Sequence, residues 1–170
     1  MFLGQLIVDS SACLVRLAIS LVPSLVIRFI KKKQLMLAGQ LIVLAANFAM
    51  GICYLVGVSD QKMLIICFGL ISFGQDFGPE SLYYVYNGEL YPNEHKLQFI
   101  SLSFLVQWVF EALMILIYKL LQHKLWLFHL VLAVLQIWSV LFIQGAIPEL
   151  SGKTQTEIDY QIYGDYANQK

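Results

Sequence analysis

Apolar residues come in runs long enough to cross a lipid bilayer, and this constrains the fold more than any other feature of the chain. A bilayer core takes about 20 mostly apolar residues of α-helix. Five segments reach that length: about 3–27, 35–57, 63–86, 98–120 and 125–147. The breaks between them are Arg28 to Gln34, Val58 to Lys62, Asn87 to Leu97 and the Lys119 to Lys124 corner. From Pro148 the chain turns polar, rich in Thr, Gln, Asp and Tyr, and is expected to lie in water with one short helix. Only 13% of the residues are charged, against about 25% in soluble domains. The sequence therefore predicts an all-α polytopic membrane protein, with a five-helix transmembrane bundle over 1–147 and a tail over 148–170.

The first run does not read as a signal peptide. No basic residue precedes it, it exceeds a signal h-region, and it leads into Ile27-Arg28-Phe29-Ile30-Lys31 rather than a small-residue cleavage site. Positive charge sets the orientation of the spans. With the first loop cytoplasmic, Arg28, Lys31, Lys32, Lys33, Lys96, Lys153 and Lys170 share that side, and only Lys62, Lys119 and Lys124 face outward. The expectation is an N-terminus outside and a C-terminus in the cytoplasm. An outside start with no leading domain points to an upstream portion missing from this chain.

Ionisable groups at membrane depth are costly and mark function. The candidates are Asp9, Arg16, Asp76, Glu80, Glu89 and Glu111. Asp9 and Arg16, two helical turns apart, share a face. Asp76 and Glu80 are four apart, as are Gly74 and Gly78, so the third span carries acids and a small-residue stripe suited to close packing. Pro79 removes a backbone donor just there. Irregular backbone at that depth is tolerated where it is buried in protein or lines a cavity. On the fourth span Gln107 and Glu111 are one turn apart, with Trp108 beside them. This cluster can hold a hydroxyl-rich ligand or can bond neighbouring helices, and the spacing leaves both open. Tyr83, Tyr84, Tyr86 and Tyr91 approach the interface, where aromatic residues collect in any case.

Several classes are excluded. The net charge is zero, which argues against nucleic acid as a partner. Cys13, Cys53 and Cys67 lie within apolar runs and read as small buried hydrophobes. His95, His123 and His129 are too scattered for a metal site. Asp76 follows Phe73-Gly74-Gln75, which lacks the first glycine of an intramembrane aspartyl protease, and no hydrolase, metalloprotease or phosphate-loop motif is present. An enzyme is not expected.

The stretch Gly78-Pro79-Glu80-Ser81-Leu82-Tyr83-Tyr84 through Gly88-Glu89-Leu90-Tyr91-Pro92 resembles the tenth helix of the sugar porter family, within the major facilitator superfamily. There a Gly-Pro-rich bend precedes an aromatic residue and an Ala-Glu-Leu-Phe-Pro end. Lys31-Lys32-Lys33 with Gly39 is similar to the basic loop after helix eight. Gln107-Trp108 falls where many members carry Asn-Trp in helix eleven. Pro148-Glu149-Leu150-Ser151-Gly152-Lys153-Thr154 resembles Pro-Glu-Thr-Lys-Gly-Arg-Thr after helix twelve. Arg28 stands where the family has an acid, Lys31 where it has a loop glycine, Ser81 for the second proline of the bend, and Tyr84 for Trp.

The resemblance covers almost the whole chain but only helices eight to twelve of the family. It implies transport of a sugar or similar small polar solute by alternating access, with this chain as a C-terminal portion. The partners it implies are the missing N-terminal half or another helical membrane subunit, the lipid bilayer and the solute, with no cofactor and with the plasma membrane as location. Asp76, Tyr84, Gln107 and Trp108 would line the solute path, and Gly78 and Pro79 would be its hinge. Lys32, Lys33, Glu89, Lys96 and Glu149 would form a cytoplasmic gate network. The alternative is a non-transporting sensor or partner subunit derived from the same fold.

Overall fold

The computed structural model describes residues 29–57, 61–91 and 95–154, together with Val26, residues 156–158, Tyr160 and Gly164. The predicted first span, with Asp9, Cys13 and Arg16, lies outside the described residues apart from Val26. Among the described residues there are five helices and no strand: α1 (Lys32–Val56), α2 (Gln61–Phe77), α3 (Pro79–Leu90), α4 (Lys96–Leu121) and α5 (Leu125–Ala146). Three of them, α1, α4 and α5, are long and apolar enough to cross a membrane.

The segment read from sequence as one span over about 63–86 is two helices. Gly78 (φ −119°, ψ −87°) leaves helical geometry, and Pro79 opens α3 at a position where its missing N–H costs nothing. Neither piece reaches the roughly 20 residues of a span. α3 also runs on to Leu90, through Asn87-Gly88-Glu89, which the sequence placed in a loop. Tertiary contacts hold that polar turn: Asn87 is buried and Glu89 is bound by Lys32.

α1 sits at the centre, packed on α5, α2 and α3. Its buried positions Met36, Gln40, Val43, Asn47 and Met50 recur every three or four residues, the helical spacing of one face. Against α2 and α3 that face is stripped to backbone. A Cβ on Gly39 would lie 2.6 Å from Gly74 O and 2.7 Å from Gly78 Cα, and one on Gly74 would lie 2.9 Å from Gly39 O. The break at Gly78 is therefore seated directly on α1. Against α5 the seam carries polar rungs. Gln40 Nε2 donates to Ser139 Oγ (2.9 Å), and His129 Nδ1 pairs with Asn47 Oδ1 (3.1 Å) while Tyr54 stacks on the imidazole. Gly57, in left-handed geometry (φ 75°), closes α1 by donating its N–H to Cys53 O.

α4 is different. None of its 26 residues is buried. Its half-buried positions Ile100, Phe104, Gln107, Met114 and Ile117 form a stripe toward α3 and α5. Phe104 meets Tyr83 and Tyr84 of α3, Tyr91 Oη shares a hydrogen bond with Ser103 Oγ (2.9 Å), and Tyr118 packs edge-on against Phe128 of α5.

Candidate functional site

A cleft of about 490 Å³ opens between the α2–α3 break and the middle of α4. That is within the usual range for small-molecule sites, about 300–1,000 Å³. Gln75 of α2 lies on one wall, Pro79 and Glu80 begin α3 beside it, Tyr83 and Tyr84 continue that wall, and Gln107 and Glu111 of α4 face them. Two carboxamides, two phenols and two carboxyls thus surround a space beside an apolar helix. The Gly78 break opens it, because α3 restarts with Pro79 and Glu80 turned to α4. On α4, Gln107 Nε2 donates to Glu111 Oε1 at 3.0 Å, and Gln107 Oε1 is buried and accepts no hydrogen bond.

Of the residues singled out in sequence as lining a solute path, Tyr84 and Gln107 come together here. Asp76 and Trp108 do not line the cleft. Asp76 is 5% exposed, and the expectation that it shares a face with Glu80 fails because counting four residues along a helix has no meaning across the Gly78 break. Ser81 Oγ donates to Asp76 O (2.5 Å) and closes that break. Trp108 is 68% exposed; it neighbours Gln107 in sequence and so points about 100° away around the helix. Gln75, Glu80, Tyr83 and Glu111 take their places. Glu80 and Glu111 were visible as membrane-depth charges. Gln75 had one signal, its one-turn spacing from Pro79.

A second cluster gathers at the lysine end of the bundle. Lys32 Nζ lies 2.5 and 2.6 Å from the Glu89 carboxylate oxygens, joining the start of α1 to the end of α3. Lys33 Nζ donates to Gln144 O of α5 at 2.8 Å. The segment after α5 then folds over the start of α1. Ser151 Oγ accepts the Lys32 N–H at 2.9 Å, and Glu149 accepts from the Ser151 N–H (3.0 Å), the Ser151 hydroxyl (2.5 Å) and the Lys33 N–H. Burial pushes the Glu149 carboxyl up, but those hydrogen bonds and the Lys31 charge outweigh it and hold the group below the ordinary carboxylate value. Leu150, between them, is fully buried with Leu35, Leu82, Tyr86 and Ile143. Lys32, Lys33, Glu89 and Glu149 thus converge; among the described residues Lys96, at the start of α4, forms no ion pair with them. Ser151 was not singled out by sequence, since nothing local marks a serine that caps a helix 119 residues away. Beyond it, Thr154 N–H and Oγ1 donate to Glu157 Oε2 at 2.8 and 3.0 Å, the N–H bond being one half of a capping box.

The family model described as "Sugar (and other) transporter" matches residues 4–162. The chain belongs to that family. It is accordingly an integral membrane protein of a family that transports sugars and related solutes, as the motif order had implied. No curated protein sequence matches the chain.

Proposed function

We propose that the α2–α3–α4 cleft binds a sugar or similar small polar solute and that the chain serves its transport across the plasma membrane by alternating access. The observation that carries this is the concentration of hydrogen-bonding groups in one cleft beside a broken membrane helix. Polar groups at that depth persist where they meet solute, water or one another. A polyol needs acceptors and donors at several angles, and Gln75, Tyr83, Tyr84 and Gln107 offer both. Gly78 and Pro79 act as the hinge of the cleft wall. The Lys32–Glu89 pair, with Lys33 and Glu149, acts as a cytoplasmic latch, made of contacts near water that are each weak, about 0–1 kcal/mol, and so can open. Alternating access rocks one bundle against another around a midplane site. The unburied face of α4, with Trp108 on it, suits such a second bundle. The same face also favours the second reading, in which the chain is a non-transporting subunit packed against another membrane protein.

The test is equilibrium binding of D-glucose, D-xylose and myo-inositol to the purified chain in lipid nanodiscs, followed by uptake in cells. Gln107→Ala and Gln75→Ala are each expected to weaken binding about tenfold, the scale of one lost hydrogen bond of about 1.4 kcal/mol. Asp76→Asn is expected to change folding rather than contact with solute. Binding equal to wild type in both glutamine variants would remove the cleft from consideration.

A further inference from the structure

Sulfur atoms gather where α1 and α2 meet at their connected ends, away from the cleft. Cys53 lies four residues before Gly57, and Met63 is the third residue of α2, so the pair sits at the mouth of the α1–α2 hairpin. The Cys53 thiol donates to the Met63 thioether with the two sulfurs 3.9 Å apart. The register of the seam supplies a second pair. Deeper in, Val43 packs against Gly74, so from there to the mouth the two helices pair in antiparallel order. Three residues back from Cys53 is Met50, and four residues on from Met63 is Cys67; helical spacing keeps each on the face of its neighbour. Met50 and Cys67 are each 6% exposed, and the Cys67 thiol lies within electrostatic reach of the Cys53 thiol. Each rung thus carries one thiol and one thioether, with the two thiols on opposite helices.

Thiolates and thioethers are soft ligands that select soft ions, Cu(I) above all. A metal–sulfur bond is about 2.3 Å long, and two such bonds at trigonal or tetrahedral angles hold their sulfurs about 3.8–4.0 Å apart. The Cys53–Met63 spacing of 3.9 Å is that span, with a thiol hydrogen where an ion would sit. Among the described residues no three His, Cys, Asp or Glu side chains gather, so a harder ion finds no ligand set there. We propose that Cys53 and Met63, completed by Cys67 and Met50, form a binding site for a soft monovalent metal ion, Cu(I) or its analogue Ag(I). The ion takes the place of the thiol hydrogen: Cys53–SH plus M⁺ gives Cys53–S–M plus H⁺, and the proton leaves to water at the hairpin mouth. Thiolate and ion then cancel in charge, as a buried site requires. Met63 is 44% exposed and marks the way in. Once bound, the ion ties the last turn of α1 to the first turns of α2.

The experiment is titration of the purified full chain in lipid nanodiscs with silver nitrate in chloride-free buffer, and with Cu(I) under ascorbate against a chromogenic Cu(I) chelator. A Cys13→Ser background removes the remaining cysteine. One ion per chain is expected, with X-ray absorption showing sulfur neighbours at about 2.3 Å and with the melting temperature raised by the ion. Met63→Leu conserves volume at an exposed position and is expected to weaken binding about tenfold, whereas Cys53→Ser weakens it about a hundredfold or more. Met114→Leu, on α4, is expected to change nothing. Melting of each variant without metal shows that it is folded. No binding of either ion would overturn the inference, as would binding that survives Cys53→Ser. Equal affinity in Met63→Leu and the background would also overturn it, because the ion would then be a simple thiol adduct.

Discussion

Gly39→Ala tests the central packing of the bundle. The added methyl would lie 2.6 Å from Gly74 O, 2.7 Å from Gly78 Cα and 2.9 Å from Pro79 Cδ. None of these is a side-chain end that can swing aside, so α1 must retreat from the break. Ordinary contact begins near 3.4 Å, and 3.4 minus 2.6 gives a displacement of about 0.8 Å. Overpacking of this kind costs about 1–3 kcal/mol or more, and a gap of 0.5–1 Å along the rest of the seam forfeits a quarter to a half of each contact's attraction. Alanine returns at most about 1 kcal/mol through helix propensity. The expected net loss is about 2 kcal/mol. Gly69, Gly88 and Gly145 supply the control, since each lies within a helix with nothing within 4 Å of its missing Cβ. Alanine there is expected to be neutral or slightly stabilising. The assay is thermal denaturation of the four single variants in one detergent. A Gly39→Ala protein that melts with the Gly69→Ala protein would refute the argument that α1 rests on the broken helix backbone to backbone.

Two other outcomes follow from the lysine end. Leu150→Ala removes a side chain that is 1% exposed among Leu35, Leu82 and Ile143; at about 2–5 kcal/mol for such a truncation, the 148–154 segment should become sensitive to limited proteolysis, and an unchanged cleavage rate would contradict its docking. Glu149 has a carboxyl pKa lowered by folding, so its contribution is present above the unfolded-state value and is lost as pH falls through the lowered folded value; protection of that segment should therefore weaken on the acid side, and Glu149→Gln should flatten the dependence, whereas protection that grows with acid would reverse the assigned sign.

The long apolar runs made α1, α4 and α5 legible in sequence, because length and hydropathy alone decide what can cross a bilayer. The break at Gly78 was legible too, since Pro79 cannot donate and Gly78 tolerates the turn. What lay beyond the break was not. Sequence counting put Asp76 and Glu80 on one face, but the non-helical Gly78 resets the register and sends Asp76 inward and Glu80 to the cleft. It grouped Trp108 with Gln107 and Glu111, although adjacent residues diverge by about 100°. It ended the third span at Tyr86, because Asn87, Gly88 and Glu89 are poor company for lipid; only the distant Lys32 makes that turn worth forming. In the charged cluster, residue types pointed to Lys32, Lys33, Glu89 and Glu149. The hydroxyl of Ser151 that joins them has no local signature.

The cap on α1 also has a temporal side. A helix normally carries the side chain that receives its first N–H groups within a residue or two of its own start, so it can be finished as soon as it is made. Here the receiving atoms belong to Ser151 and Glu149, and the N–H groups to Lys32 and Lys33. During synthesis α1 enters the membrane before these partners exist, and its leading turn is held only by water while α2 through α5 are threaded. Only when the segment after α5 emerges can the turn close. The segment after α5 thus works as a seal on assembly: a chain that ends between Ile147 and Leu150 keeps α1 through α5 and leaves the first of them without its cap.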